Sequence, residues 1–564
     1  MSLSHQNGLT TISERKNVMD QRMYEADVLC VGGGIAGLMA AIRAAESGAK
    51  VIVAEKGNAI ASGAGRAGND HFQCYIPEAH GPDIKPFVQK LSSFRGQLRD
   101  REVAEVWAER SSEIVKLWDS WGIPMKYNGQ WEFAGHGYPG DRLDHLKYSG
   151  KNQKPVLHRE ARKKGVQIVN RVMVVDLLKE GDHVVGAIGL GTRDDKVMVF
   201  KAKTIILGTG FITRLYPSPI HGRTANVNFP PTVTGDGRVM AFRAGAELVG
   251  LDMPYKHQGP KYFARSGQAT WVGVIKDAEG KPLGPFITRP DRRYGDPVLE
   301  KYPSLFEDVT ASGKGPVYMD CTDISPEDYE YMIYFMHHEG YTSFLNYMSE
   351  EGIDLRKTPV EFGRYEIRVN GGIYYNEKAE TSLKGLYAAG DELFGGIANA
   401  AVFGWIAGEN AAKLSSEMKT GSLEKFNAFV EEKKAFIHAV RTRDVGADWK
   451  EVNFALQQLM QDYAGTIRSE SMLSAGLANI RRLKEKARHS LIARTQWELV
   501  RCLEVLNLLD LGELVFVAAL ERKETRGGHI RRDFPVTNPM LDRRRLFVKK
   551  VNDKIVTEWR EIKD

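Results

Sequence analysis

Gly32, Gly34 and Gly37 stand at the spacing of a dinucleotide fingerprint, and Glu55 follows about 20 residues on. The first glycine permits a tight turn, the second lets backbone approach a pyrophosphate, and the third lets helix pack on strand. A carboxylate at Glu55 accepts hydrogen bonds from ribose hydroxyls. The elements that must hold these groups surround them. Asp27 to Val31 reads as a buried strand entering the glycine turn, and Ala40, Ala41, Ala44 and Ala45 predict a closely packed helix. Lys50 to Glu55 reads as a second apolar strand, with Lys56 directly after it. The helix N-terminus, at Ile35 and Ala36, offers free N–H groups and a partial positive charge to phosphates. The loop from Ser62 to Asp70 is dominated by small residues, among them Ser62, Gly63, Ala64 and Gly68, as suits backbone lying against a flat ligand. This stretch does not fix which dinucleotide binds.

Composition narrows the rest. A chain of 564 residues buries a large core and divides into two to four domains. Its net charge of +6 is small and dispersed, which allows an acidic substrate and gives no reason to expect nucleic acid. Cys30, Cys74, Cys321 and Cys502 are far apart with no CxxC pair. They exclude a cysteine-ligated iron–sulfur cluster within this chain and point to a reducing compartment. No metal site is expected. No apolar run is long enough to span a membrane, and the polar leader lacks a signal peptide's apolar core, so a cytoplasmic location is expected.

Further along, residues 84–120 predict amphipathic helices. Short strands over 166–169, 172–178, 184–190 and 197–200 predict a small antiparallel layer attached to the nucleotide domain. Lys203 to Leu207 is another apolar strand ending in a glycine turn at Gly208 and Gly210, and Asp236, in Thr234-Gly235-Asp236-Gly237, opens a helix. Composition changes from Met253 to about Asn370, where Pro, Tyr, Arg and His accumulate. Gly385 to Asp391 returns to the nucleotide-domain style, and 423–519 is helical almost throughout.

Four markers in this order resemble the flavoprotein superfamily of succinate dehydrogenase, fumarate reductase, L-aspartate oxidase and adenylylsulfate reductase. They are the glycine fingerprint with Glu55, Thr234-Gly235-Asp236-Gly237, Gly385-Leu386-Tyr387-Ala388-Ala389-Gly390-Asp391, and the C-terminal run from Glu524 to Pro535. The resemblance implies an α/β fold: a Rossmann-like FAD-binding domain with an inserted α+β capping domain and a C-terminal helical domain. It divides the chain into a polar leader (1–23), an FAD-binding domain in two parts (24–250 and 371–415), a capping or substrate domain (251–370), a helical domain (416–520) and a C-terminal tail (521–564). It implies FAD as cofactor, with Gly390 and Asp391 at the ribityl and pyrophosphate part. Respiratory members bind FAD covalently through a histidine; the matching loop here, Ile60-Ala61-Ser62-Gly63-Ala64, has none, so noncovalent FAD is expected. This loop and Gly315-Pro316-Val317-Tyr318-Met319-Asp320 are nearest to the alpha chain of adenylylsulfate reductase.

In succinate and fumarate enzymes a cap arginine exchanges a proton while histidines and a second arginine clamp two carboxylates. By position, His257 is the candidate substrate-side histidine, Arg292 and Arg293 (with Arg289) the candidate cap arginines, and Arg368 a possible replacement cation. His136 and Arg223 are weaker candidates, and His529 and Arg526 read as structural. Two departures matter. The family's His-x-x-Met-Gly-Gly segment becomes Glu366 to Gly372 without its histidine, and the Gly-Ala-Asn-Arg-Leu-Gly segment becomes Gly395 to Ala400 without its arginine. Losing a buried bidentate donor costs a dicarboxylate roughly 2–5 kcal/mol. The expected function is therefore an FAD-dependent oxidoreductase exchanging two electrons at flavin N5 with a small anionic substrate and a separate redox partner such as an iron–sulfur subunit. Membrane association, if any, is expected through that partner. The alternatives are an alpha chain of the adenylylsulfate reductase type, a fumarate reductase-type dicarboxylate enzyme, and an FAD-carrying electron-transfer subunit without its own substrate site.

Overall fold

A computed structural model of the chain describes residues 20–92, 99–135, 137, 140, 142–218, 224, 229–260, 271–283, 290–295, 304–339, 342–419 and 421–562, and the backbone alone of 67, 255–260, 271–272, 295, 339 and 364–368. Its centre is a seven-stranded sheet. Strand β1 (Gln21–Val31) carries Val28, Leu29, Cys30 and Val31, all buried, into the glycine turn. Helix α1 (Ile35–Glu46) returns the chain to β2 (Val51–Glu55), parallel to β1 with Val28 opposite Val51. Beyond β2 lies β3 (Gln167–Asn170), also parallel. On the other side of β1 runs β6 (Val197–Leu207), followed outward by β5 (His183–Gly191) and β4 (Val172–Glu180), both antiparallel.

The antiparallel strands are therefore not a separate layer. Residues 197–200 and 203–207 form one 11-residue strand, β6, whose first half pairs with β5 and whose last residues pair in parallel with Leu386–Ala388. Both faces of β6 are covered, so burial is nearly continuous along it, and only Lys201 and Lys203 divide its apolar residues into two segments. The expected leader also gives way earlier than its composition suggests, since Gln21, Arg22 and Met23 already pair with Val197, Met198 and Val199.

Helix α2 (Asp236–Ala244) and helix α3 (Ile397–Glu417) flank this sheet. α3 lies close against α1 because Gly404 and Gly408 face the backbone of Ala36 and Ala40, where an added Cβ would overlap carbonyl oxygens. The cap has its own four-stranded antiparallel sheet, ordered Pro254–Pro260, Val360–Val369, Val317–Met319, Ile275–Lys276. A second hydrophobic core, with Met319, Met332, Phe335 and Phe362, lies beneath it.

Four helices, Asn427–Thr442, Trp449–Ala464, Glu470–Ser490 and α4 (Gln496–Glu521), form the helical domain. A capping box between Thr495 and Glu498 starts α4, which is then buried nearly all round and serves as the domain's central helix. The basic tail is ordered: Arg544–Val551 and Lys554–Glu561 form a hairpin that joins Leu248–Val249 and Gly372–Ile373 in one sheet.

Candidate active site

The fingerprint glycines do different work. Gly32 follows β1 with φ of +100°, and a Cβ there would overlap the Gly208 carbonyl; at Gly37 it would overlap the Gly32 carbonyl. Gly34 differs, because a Cβ there would meet only the Gly208 oxygen, at 3.8 Å, and its open side faces a cavity of about 290 Å³. Gly63 and Gly396 leave other parts of the same wall bare. Ser62 Oγ, also on the wall, is buried with no hydrogen-bond partner among the described residues. Bare backbone, an N-terminal helix end and an unmatched hydroxyl are what a dinucleotide's phosphates and sugars fill.

Of the residues expected at the cofactor, Gly32, Gly34, Ile35, Ala36, Glu55, Lys56, Ser62, Gly63, Ala64, Gly210, Asp236 and Asp391 line this cavity. Gly37, Gly68 and Gly390 are not among its lining residues. Gly68 packs against the His338 carbonyl of the cap, and Gly390, with φ of +69°, against Ala36 and Ala400. Glu55 accepts from the backbone N–H of Gly33 and of Gly57, each at 2.6 Å, and so braces both turns. Asp391 accepts from the Gly396 N–H at 2.8 Å, fixing the entry to α3.

A buried ionic cluster stands at the cavity's edge. Lys56 Nζ donates to Asp236 at 2.7 Å and to Glu504 of α4 at 2.9 Å. Glu504 also pairs with Arg214 at 2.7 Å and with Arg501 at 2.8 Å. Burial alone would raise the Asp236 carboxyl, but Lys56, Asn507 and Thr234 together hold it below its ordinary value. Glu392, fully buried, accepts from Thr209 N–H and Oγ; burial outweighs these bonds and the nearby Arg238 and raises its carboxyl.

On the cap, His257 pairs with Glu366 and Tyr255 with Arg368, so His257 and Arg368 sit a register step apart on neighbouring strands. Arg292 is a third exposed, reaches Glu327 at 3.3 Å and Asp328 at 3.5 Å, and lies 5.0 Å from the centre of the Tyr331 ring. Arg293 is mostly exposed and forked by Asp291. Arg289, His136 and Arg223 lie outside the described residues. His529 is fully buried between Arg468 and the Arg522 carbonyl, and Arg526 is engaged by Glu524 and Asp542; both brace the C-terminal segment.

One further cluster belongs to no motif legible in the sequence. Strand His71–Gln73 leaves the cavity loop and pairs with His145–Lys147. Asp70 holds His71 Nδ1 and Lys147 Nζ, each at 2.6 Å; Asp144 holds His145 Nδ1 at 2.8 Å and Lys90 Nζ at 2.9 Å. The two imidazoles are 5.6 Å apart. Lys147 lies 5.1 Å from the centre of the cap's Phe335 ring, so the cluster sits where the cavity loop meets the cap. Burial lowers His145 to about 4, with Asp144 opposing, and His145 is neutral at ordinary pH. The only hint in sequence is a weak one, an Asp-His dipeptide at 70–71 and again at 144–145. A third such dipeptide, at 182–183, opens β5 and takes no part in the cluster.

The family model described as FAD binding domain matches residues 27–265, and that described as fumarate reductase flavoprotein C-term matches 454–562. The fumarate reductase (CoM/CoB) of Methanothermobacter marburgensis has one chain that is 26% identical, covering 95% of this chain and 100% of that one. L-aspartate oxidase of Vibrio cholerae is 24% identical over 91% of this chain and 96% of its own. Among solved structures, adenylylsulfate reductase from Archaeoglobus fulgidus superposes with a TM-score of 0.83, at 22% identity and 97% coverage of each chain. E. coli quinol fumarate reductase FrdA gives a TM-score of 0.82 at 20% identity, covering 96% of this chain and 97% of that one.

Proposed function

We propose, from a chain that belongs to the fumarate reductase/succinate dehydrogenase flavoprotein superfamily and is an FAD-dependent oxidoreductase, that it exchanges two electrons with a small anionic substrate at the junction of cap and cavity loop. When bound, FAD supplies the two-electron carrier. The glycine turn and the head of α1 meet its pyrophosphate, Glu55 its ribose, and Ser62 and Asp391 its remaining hydroxyls. With no histidine in 60–64, the flavin is held noncovalently. Arg292 of the cap stands 5.0 Å from the centre of the Tyr331 ring, and the two aspartate-held imidazoles are groups suited to moving a proton.

The observation that carries this reading is that cluster: a half-buried His71 paired with the buried His145 and Lys147 at the end of the loop that lines the cofactor cavity. A dicarboxylate fits poorly. The segment that replaces the family's second carboxylate clamp, 395–400, has no arginine, and its one polar side chain, Asn399, is buried and spends its amide on the Gly390 and Leu393 carbonyls. The electron partner is a separate chain, since the four cysteines are all buried and carry no cluster spacing. No helix among the described residues is long and apolar enough to cross a membrane.

The test is anaerobic. Holoprotein reduced with dithionite is mixed with fumarate, and oxidised holoprotein is titrated with sulfite. The reading expects a flavin spectral change with sulfite, a small anion, and no rapid reoxidation by fumarate. Rapid reoxidation by fumarate sinks the rejection of a dicarboxylate. A second reading, an electron-transfer subunit without its own substrate, is favoured by the carboxylates occupying Arg292 and Arg293. It predicts no change with sulfite and rapid flavin exchange of electrons with artificial dyes.

A further inference from the structure

The cofactor cavity does not end on the nucleotide domain. Pyrophosphate at the Gly32–Ile35 turn and ribose at Glu55 direct the adenine onward, past the end of β2. That end of the cavity is walled by Arg171, Val172 and Arg193 from the sheet side and by Trp497, Val500 and Arg501 from α4. We propose that the helical domain supplies the cover of the adenine subsite, with Trp497 and Arg501 closing over the base of bound FAD.

Three observations support this assignment. Trp497 is 52% exposed although it lines a cofactor cavity, with Trp449 packed edge-on at 5.5 Å between ring centroids. A large aromatic left that open is the kind of surface a purine covers. Arg501 is only 6% exposed, its guanidinium stands 5.5 Å from the centre of the Trp497 ring, and its Nε is buried with no partner among the described residues. A buried guanidinium N–H of this kind calls for an acceptor, and adenine ring nitrogens are acceptors. Glu504, one helical turn on, anchors Arg501 Nη1 at 2.8 Å and binds Lys56, the residue after the ribose-binding Glu55. Glu504 is thus a positioning residue that ties the helical domain to the sugar-binding strand. In consequence, FAD loading reports on whether the helical domain is docked.

The experiment titrates apoprotein with FAD and with FMN, which lacks the adenosine half. Trp497→Ala and Arg501→Met are each expected to weaken FAD by about tenfold or more while leaving FMN within about twofold of wild type. Trp497→Phe, which keeps a ring, is expected to retain most of the FAD affinity. Melting temperature of the apoprotein is read alongside, because a variant that merely loosens the helical domain lowers it and weakens both flavins alike. Unchanged FAD affinity in both variants, or equal losses for FAD and FMN, overturns the assignment.

Discussion

Glu504→Gln probes the ionic cluster with almost no change of shape. The carboxylate is fully buried and carries three cations, Lys56 at 2.9 Å, Arg214 at 2.7 Å and Arg501 at 2.8 Å. A glutamine amide oxygen still accepts from one of them, but no longer offsets their charge. Lys56 keeps Asp236 at 2.7 Å and suffers least. Arg214 fares worst: burial already holds its guanidinium below the ordinary value, Glu504 is the first charge opposing that, and the Trp449 ring at 5.3 Å compensates only weakly. Leaving a buried cation without its partner costs roughly 3–5 kcal/mol. Urea denaturation of the holoprotein, followed by flavin release and by helical signal, should show both transitions moving to lower urea together, because one residue joins the cofactor strand to the helical domain. The reasoning fails if the loss is under about 1 kcal/mol, the range of an exposed ion pair.

Other predictions follow from the same geometry. Gly34→Ala should leave apoprotein stability intact, because the added Cβ finds room within the protein, yet weaken FAD by more than about tenfold as measured by titration. Gly37→Ala should instead lower the melting temperature, since its Cβ overlaps the Gly32 carbonyl. His145 has a folded pKa of about 4 against an ordinary 6.5, mainly through burial, with His71 and Lys90 adding to the effect and Asp144 opposing it. Between those values the unfolded chain binds the extra proton, so stability falls as pH drops from 6.5 to 4, by about 3 kcal/mol in all. His145→Gln should flatten that part of the stability curve; an unchanged slope in urea midpoints across the window refutes the assignment. Arg292→Gln should leave the FAD spectrum untouched but lower the affinity for sulfite in the same titration that tests wild type, and an unaltered affinity removes Arg292 from the site.

Local pattern carried the nucleotide domain well. The glycine turn, Glu55 and the small-residue face of α1 are contiguous in sequence, and their physics is local. The order of cap and helical domain was also legible, through the compositional change at Met253 and the 3.6-residue periodicity beyond 423. What escaped was set by distant contacts. Glu504 meets Lys56 across 448 residues, and nothing about a glutamate inside an apolar helix announces three partners elsewhere. The Asp-His pairs open strands of three residues, His71–Gln73 and His145–Lys147, too short to show alternation. β6 was divided by the two lysines at 201 and 203, which stand on a strand otherwise covered on both faces. Gly37 packs helix on strand as its place in the fingerprint implies, whereas the packing of Gly390 against Ala36 and Ala400 depends on what a Cβ would strike and is not legible locally.

The central claim is FAD lying noncovalently in the cavity between β1, the Ser62 loop and α4. It is tested most directly by denaturing the purified protein in acid, separating the precipitate, and identifying the chromophore. The account predicts a yellow supernatant containing FAD at about one per chain and a colourless pellet. A colourless preparation that takes up no added FAD, or a flavin that stays with the precipitated polypeptide, contradicts it.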